Sequence, residues 1–260
     1  MLILLPPSEG KLAPRRGRPL DLASLSFPAL VRDREQLLES LVGLCTSGPP
    51  AVAAEVLGLG STRTGEVTRN ARLREAPTAR SDVVYNGVLY EALDVTSLAG
   101  PARRRAASWL AVTSGLFGLL RATDRIPAYR LSGGVSLPGI GSVSAYWSRR
   151  LDATVRGAAG RGLVVDLRSS TYASFWRPHD DLVPRVATVR VLHEVGGARK
   201  VVSHLNKATK GRLVRALLVD GAAPTTPARF ADHLRSLGWT VEQAPGDRLG
   251  TRFDVVVSEL

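Results

Sequence analysis

The chain alternates short apolar runs with longer segments in which apolar residues recur at helical spacing. The runs at residues 2–5 (LILL) and 162–167 (GLVVDL) predict strands that are buried on both faces. Helical spacing predicts helices over residues 27–44, 51–60, 144–159, 206–220 and 227–238. Since strands and helices are interleaved along the chain, the pattern predicts an α/β (mixed α+β) fold.

The remaining segments complete this outline. Residues 83–94 begin extended and turn helical, residues 100–120 predict one or two helices with a basic start, and residues 128–137 predict a strand interrupted by glycine. Two apolar segments around "GGAR" predict a hairpin, and the chain closes with two strands: 188–195 with 200–205, then 240–245 and 252–260. We therefore expect one compact domain over residues 1–260, a mixed twisted sheet flanked by helices.

The charge balance favours polyanionic partners. The 260 residues carry a formal net charge of +12, and such an excess attracts phosphate-rich molecules. Two stretches lack acidic residues, one between Asp94 and Asp124 and one between Glu194 and Asp220. Their basic residues are Arg103, Arg104, Arg105 and Arg121 in the first, and Arg199, Lys200, Lys207, Lys210, Arg212 and Arg215 in the second.

Cysteine usage and hydropathy bear on the compartment. Cys45 is the single cysteine, so no internal disulfide can form, which is typical of a reducing cytoplasm. The longest apolar stretch has about 12 residues, fewer than the roughly 20 that a membrane-spanning helix needs. We expect a cytoplasmic protein, with a monomer favoured.

No metal or cofactor motif stands out. The four histidines are scattered along the sequence, and no nucleotide-binding glycine motif has the right context. We expect no cofactor and no metal site.

The helix over residues 206–219 offers a candidate anion site. Asn206 is a suitable N-cap. At about 100° per residue, Lys207 and Lys210 point toward the apolar face, in a first turn where the helix dipole is already positive. Either both lysines bind an anion, or the first turn overhangs the core and both extend to water.

A second candidate is the segment "LPGIGSVSAYW", residues 137–147. Gly139 and Gly141 resemble the hairpin of helix-hairpin-helix DNA-binding modules, in which glycines let backbone N–H groups approach a phosphate. The alternative is a plain Pro-Gly turn.

Reactive side chains also follow two of the predicted strands. Ser8, Glu9 and Lys11 follow the first strand, and Ser169 and Tyr172 follow the strand at 162–167. Ligands commonly bind beyond the carboxyl ends of strands in open α/β sheets. An enzyme acting on a nucleobase, nucleotide or damaged DNA is therefore an alternative function, with Lys207, Ser8, Glu9 and Tyr172 as its catalytic candidates and Lys207 able to form a Schiff base.

Taken together, the chain resembles the YaaA peroxide-stress family over nearly its whole length. The resemblance rests on "LILLPPSEGK", "YNGVLYEAL", "SGLFGLLRATDRIPAYRL", "AYWSRRL", "VVDLRSSTYASF" and "VVSHLNKATKGRLVRALL". It implies a mixed α/β domain of unusual topology with a positively charged cleft. It also implies a cytoplasmic role in DNA binding and in protection against hydrogen peroxide, by limiting free iron and DNA damage, and a helix-hairpin-helix-like element.

The glycine-rich segment at residues 114–131 then suggests a site wall. Arg121 and Arg130 would face an anion, oriented by Asp124 and Tyr129, although an internal ion pair with Asp124 is the alternative. We expect five basic groups to converge on one pocket with an anionic occupant, DNA or another phosphate-bearing molecule, and we expect Arg212 to add to the binding surface. The five are Lys11, Arg121, Arg130, Lys207 and Lys210.

Overall fold

The computed structural model describes residues 1–60, 63–245 and 249–258. Its strands are β1 (Leu2–Leu5), β2 (Ala79–Arg80), β3 (Leu110–Ser114), β4 (Gly118–Arg121), β5 (Arg125–Ile126), β6 (Ser136–Leu137), β7 (Gly141–Ser142), β8 (Val164–Asp166), β9 (Val186–Val195), β10 (Ala198–Lys200), β11 (Thr240–Gln243) and β12 (Thr251–Val257). Its α-helices are α1 (Val31–Thr46), α2 (Pro50–Val56), α3 (Thr64–Ala71), α4 (Ser81–Val84), α5 (Val88–Leu93), α6 (Gly100–Trp109), α7 (Val143–Ser148), α8 (Asp152–Ala159), α9 (Ser170–Ala173), α10 (Ser203–Asp220) and α11 (Pro227–Ser236).

A mixed sheet organises the fold and confirms the predicted fold class. Among the described residues it has eight strands in the order β11-β12-β9-β8-β1-β3-β4, with β10 paired to β9. Strands β12, β9, β8, β1 and β3 run parallel to one another. Strands β4, β10 and β11 pair antiparallel with β3, β9 and β12. Two further ribbons, β2–β5 and β6–β7, lie outside this sheet.

Strand β1 lies in the interior of the sheet, between β8 and β3. All four of its side chains are fully buried, and Ile3 pairs with Leu110 on one side and with Val165 on the other. A strand covered on both faces needs apolar residues at every position, which is why "LILL" shows no alternation. From β1 the chain returns first to β3 and later, past β1, to β8, so the loops that follow β1 and β8 diverge at a topological switch point.

Several predicted elements are confirmed. The structure has strands β1, β8, β11 and β12, helices α1, α2, α10 and α11, and the β9–β10 hairpin around Gly196 and Gly197 close to where the sequence predicts them. Positions 259–260 of the last predicted strand lie outside the described residues.

The prediction of helices over the whole of residues 100–120 is wrong in its second half. Helix α6 ends at Trp109, and the next residue begins β3, which turns back as β4. Because β3 lies between β1 and β4 and is buried on both faces, its apolar residues carry no alternation to distinguish a strand from a buried helix.

Other boundaries also differ from the prediction. The helix expected over 144–159 is two helices, α7 and α8, and in the segment 128–137 only β6 is a strand. Residues 83–84 belong to α4 rather than to an extended segment, and β10 ends at Lys200, so most of 200–205 is not a strand. Of the helices in the described ranges, none is at once long and apolar enough to cross a membrane.

The start of α10 changes the setting of its lysines. The helix begins at Ser203, and the amide of Asn206 donates to the carbonyl of Val202 at 2.8 Å, so Asn206 is inside the helix and is not its N-cap. Lys207 therefore lies in the second turn and Lys210 in the third. The helix dipole acts mainly within the first turn, so it adds little to the potential at either ammonium group.

Candidate functional site

A cavity of about 490 Å³ opens where β1 and β8 end, at the switch point of the sheet. Four residues that the sequence singles out as catalytic candidates share it: Ser8, Glu9, Tyr172 and Lys207. Its other lining residues come from the loop after β1, from the α4–α5 connection with α5, and from the segment after β8: Pro6, Pro7, Gly10, Asn86, Gly87, Val88, Leu89, Tyr90 and Ser169.

The loop after β1 is held in place by hydrogen bonds from neighbouring elements. The Tyr90 hydroxyl donates to the carbonyl of Pro6 at 2.7 Å. The Ser8 hydroxyl donates to the carbonyl of Gly10 at 2.5 Å and accepts from the amide of Asn86 at 3.2 Å. Both hydrogen bonds of Ser8 Oγ thus stabilise the loop. This arrangement suits a structural role in the cavity lining better than a role as a nucleophile.

Lys11 is the cation most deeply packed beside this loop. Its Nζ donates to the carbonyl of Ser8 at 2.8 Å and lies 4.3 Å from the ring centroid of Tyr129. The faces of aromatic rings attract cations, which offsets part of the cost of removing the ammonium group from water. Burial nevertheless lowers the pKa of Lys11 to about 8.

Next to Lys11, a chain of buried hydroxyl groups fixes the rings of Tyr85 and Tyr129. The Tyr129 hydroxyl lies 2.7 Å from Ser114 Oγ and 2.9 Å from the Tyr85 hydroxyl. Ser114 Oγ also accepts from the amide of Phe117 at 3.0 Å, within the turn between β3 and β4. Burial raises the pKa of Tyr85 and Tyr129 well above the ordinary value, so both stay neutral. The glycine-rich segment that begins at Ser114 therefore supports the site from below.

Arg130 meets Glu9 at the rim of the cavity. One guanidinium nitrogen lies 2.6 Å from Glu9 Oε2 and donates to the Glu9 carbonyl at 3.2 Å. The backbone of Arg130 is in turn held by the side-chain amide of Asn70, which donates to its carbonyl and accepts from its N–H. Arg130 is thus both fixed and partly neutralised.

Lys210 closes the β8 side of the site. Its Nζ donates to the carbonyl of Leu167 at 3.1 Å, and burial lowers its pKa to about 8, although the nearby carboxylate of Asp166 opposes this effect. Asp166 pairs bidentately with Arg168. Burial alone would raise the pKa of Asp166, but the charge and hydrogen bonds of Arg168 lower it below its usual value.

Lys207 and Arg212 differ from these groups because both side chains are exposed. Within the described ranges neither ammonium nor guanidinium has a hydrogen-bond or ion-pair partner, and only Lys207 faces the cavity. Arg212 lies further along α10.

The expected convergence of five basic groups is wrong for Arg121. Because β4 runs antiparallel to β3, Arg121 pairs with Ala111 near the start of β3, at the opposite edge of the sheet from the cavity. Its guanidinium donates to the carbonyls of Ser108 and Leu110 at 2.6 and 3.2 Å. Asp124 is likewise structural, since its carboxylate accepts from the amides of Ser26 and Arg121. Of the other four groups, Lys207 lines the cavity, and Arg130 pairs with the lining residue Glu9. Lys11 and Lys210 donate to the carbonyls of Ser8 and Leu167 in the segments that follow β1 and β8.

The glycine hairpin is also separate from this site. Gly139, in the turn between β6 and β7, and Gly141, the first residue of β7, have φ values of 72° and 79°, as glycine readily allows. The element before this turn is a strand, and the turn leads into the six-residue helix α7. Within the described residues the helix-hairpin-helix arrangement is therefore absent here, and the two-stranded Pro-Gly turn describes the segment.

Three arginines of the acid-free stretches have structural partners. Arg199 pairs with Glu194 and with Glu242 of β11. Arg105 and Arg215 donate to carbonyls that end neighbouring helices. Basic residues from acid-free stretches of the sequence are therefore paired with carboxylates and carbonyls that the fold brings next to them.

Sequence reasoning missed the contribution of the α4–α5 connection. Asn86 and Gly87 line the cavity, and Gly87 has a φ of 94°, a conformation that favours glycine. The tyrosine–asparagine–glycine run at 85–87 is a turn signal that could have drawn attention to this loop. Nowhere in the described ranges do three or more histidine, cysteine or carboxylate side chains meet in a way that would hold a metal ion.

Comparison with known proteins agrees with the resemblance seen in the sequence. The profile of the family described as "Peroxide stress protein YaaA" matches residues 1–244. The chain is 51% identical to a UPF0246 protein of Streptomyces coelicolor over the full length of both chains. It is 44% identical to a UPF0246 protein of Corynebacterium efficiens, with 93% of this chain and 95% of the relative covered. The chain therefore belongs to the peroxide stress protein YaaA family.

Proposed function

We propose that this protein acts in the peroxide stress response by binding DNA through phosphate contacts at the carboxyl edge of β1 and β8. The observation that carries the proposal is the excess of cations there. Lys11, Arg130, Lys207, Lys210 and Arg168 lie within or beside one cavity, against the carboxylates of Glu9 and Asp166. A site with surplus positive charge is stabilised by an anion that neutralises it.

DNA suits this surface better than a small inorganic anion. The net charge of +12 is spread over the chain, so a long polyanion gains from many groups at once. Lys207 is exposed at the cavity, and Arg212 is exposed further along α10. Phosphate contacts carry no sequence information, so the expected binding is largely independent of sequence.

The first experiment compares two double variants of equal charge. Lys207→Ala with Lys210→Ala removes two cations of the site, whereas Arg161→Ala with Arg229→Ala removes two exposed arginines that do not line the cavity. Affinity for a short labelled duplex is measured by fluorescence anisotropy at fixed salt, and thermal unfolding verifies the fold.

The lysine variant is expected to bind about tenfold to thirtyfold more weakly, because each lost charge-assisted contact is worth on the order of 1 kcal/mol. The arginine variant is expected to change affinity by less than about threefold. Equal losses in the two variants would mean that net charge, and not this site, governs binding.

An enzyme acting on a nucleobase, nucleotide or damaged DNA is the second candidate. It is favoured by one observation, the shared cavity of Ser8, Glu9, Tyr172 and Lys207 at a topological switch point. If the Lys207 amine condenses with the aldehyde of an abasic site, water leaves and an imine forms, which borohydride reduces to a stable adduct. Trapping that is lost in Lys207→Ala would support this candidate, and its absence would leave binding alone.

A further inference from the structure

We propose that the cavity between β1, α5 and β8 binds one unstacked nucleotide, with the base against its apolar wall and the phosphate toward Lys207. The inference deepens the proposed function and rests on it for the case in which the nucleotide is part of DNA. DNA binding through surface phosphate contacts does not require the cavity to hold a base. The inference therefore adds a ligand for the cavity to the proposed function.

The size and wall of the cavity suit a flat ring. About 490 Å³ falls within the range of 300–1,000 Å³ typical of small-molecule sites. Pro6, Pro7, Leu89, Tyr90 and Tyr172 supply apolar and aromatic surface. Every nucleobase has a π-face that stacks favourably on such surfaces.

The wall is fixed before any ligand arrives. Tyr90 is held by its hydrogen bond to Pro6 and stacks on Tyr85 with centroids 5.5 Å apart. The Tyr172 hydroxyl accepts from the amide of Gly133 at 3.3 Å, and its ring contacts Phe175 at a centroid distance of 5.0 Å. A wall of locked side chains loses little entropy on binding, which favours a rigid planar ligand.

Three polar side chains face the cavity with their hydrogen-bonding groups free. Across the described residues, Asn86, Ser169 and Lys207 have no side-chain hydrogen bond or ion pair, although all three line this one space. An amide offers both a donor and an acceptor, which matches the mixed donor–acceptor edge of a base. An unpaired ammonium group matches a phosphate.

The two charges at the rim give the ligand a direction. Glu9, already paired with Arg130, disfavours a phosphate beside it and favours the exocyclic amino group of a base. Lys207 carries the opposite preference. A ligand with an amino group at one end and a phosphate at the other, such as an adenine or cytosine nucleotide, satisfies both.

This chemistry has two sources, a free nucleoside monophosphate or a nucleotide extruded from a duplex. Extrusion sacrifices stacking and base pairing, and this cost is least at a mismatch or lesion. Both sources present the same base and phosphate to the cavity, so the experiment has one arm for each.

The test fills the cavity with a bulky side chain. Ser169→Trp is chosen because this serine is exposed, lines the cavity and has no hydrogen bond to lose, and Ser170→Trp is the matched control beside it that does not line the cavity. Arm one titrates AMP and CMP by calorimetry. Arm two follows the fluorescence of a duplex with 2-aminopurine opposite a mismatched base, which brightens when that base unstacks.

In the parent and in Ser170→Trp we expect a signal in at least one arm. In arm one this is one nucleotide bound per chain, and in arm two it is a fluorescence rise of at least about threefold from the unstacked base. In Ser169→Trp the signal seen in the parent falls at least about tenfold, since the bulky ring occupies the site of the base. A signal in arm one alone assigns the cavity to a free nucleotide, and a signal in arm two assigns it to extruded DNA.

Two results would overturn the proposal: no signal in either arm, or equal signals in the parent and Ser169→Trp. If the parent does not bind duplex DNA at all, the proposed DNA function fails, while arm one still decides whether the cavity takes a nucleotide. The two failures are therefore distinguishable.

Discussion

Lys11 and Lys210 have the same chemical type as Lys207 but a different physical state. Both side chains are partly buried, their ammonium groups donate to a backbone carbonyl, and burial lowers their pKa to about 8. An unperturbed lysine titrates near 10.4. The two residues therefore lose their charge at a lower pH than an unperturbed lysine does.

The first consequence concerns binding. An anion favours the protonated amines, so raising the pH from about 7 to about 9 removes two positive charges and weakens duplex affinity, by about tenfold if each contact is worth on the order of 1 kcal/mol. Anisotropy titrations at constant ionic strength measure the change. Lys210→Met should flatten the pH profile, and a parent profile that is itself flat would contradict the placement of these lysines at the DNA.

The second consequence of these pKa values concerns the stability of the free protein. Since the folded pKa of each lysine lies below its unfolded value, the unfolded chain binds more protons between about pH 8 and 10, and the free energy of unfolding rises across that window. Tyr85 and Tyr129, with raised pKa values, act in the opposite sense only near and above pH 10, where unfolded tyrosines ionise. The melting temperature should therefore rise from about pH 7.5 to about pH 9.5, and less so in Lys210→Met.

At the scale of elements, the packing of α10 on α5 sets the shape of the cavity. Gly211 lies at their contact, and a Cβ atom there would lie 2.3 Å from the carbonyl oxygen of Leu89 and 2.9 Å from Cβ of Ala92. Leu89 itself lines the cavity. A side chain at position 211 would therefore push α5 and the cavity wall away from α10.

Gly211→Ala is accordingly expected to lower stability by about 2 kcal/mol, because overpacking against backbone outweighs the gain of roughly 1 kcal/mol in helix propensity. Gly157→Ala in α8 is the matched control: no atom lies within 4 Å of its added Cβ. That variant should gain up to about 1 kcal/mol. Urea unfolding measures the stability of both variants. A gain in stability for Gly211→Ala as well as for Gly157→Ala would show that α10 and α5 are not in close contact.

The elements also show what the sequence can and cannot predict. Ser8, Glu9 and Tyr172 line one cavity because residues after parallel strands meet at one edge of the sheet, and Lys207 reaches the same cavity from α10. Arg121 lies at the other edge because the chain reverses between β3 and β4, and that reversal is hidden in an apolar run with no alternation. The sequence pattern places the N-cap of α10 at Asn206, too far along the chain. The residue that precedes the first turn is Val202, which is a poor N-cap by residue type and gives no start signal.

At the scale of the whole molecule, charge matters through its distribution in space. The net charge of +12 suggests a polyanion, yet Arg121, Arg105, Arg199 and Arg215 are engaged by carbonyls or carboxylates within the fold. Lys207 differs from them, because it lines the cavity at the switch point of the sheet and its side chain is exposed. The total charge therefore overstates how many cations are free to meet a polyanion.

The most direct test of the account is the salt dependence of duplex affinity. Each phosphate contact contributes about −0.9 to the slope of log affinity against log salt concentration. The parent should show a steep slope, and Lys207→Ala with Lys210→Ala should show a slope shallower by about 2, while Arg161→Ala with Arg229→Ala keeps the parent slope. Parallel lines for the parent and the lysine variant would contradict DNA binding at the carboxyl edge of β1 and β8.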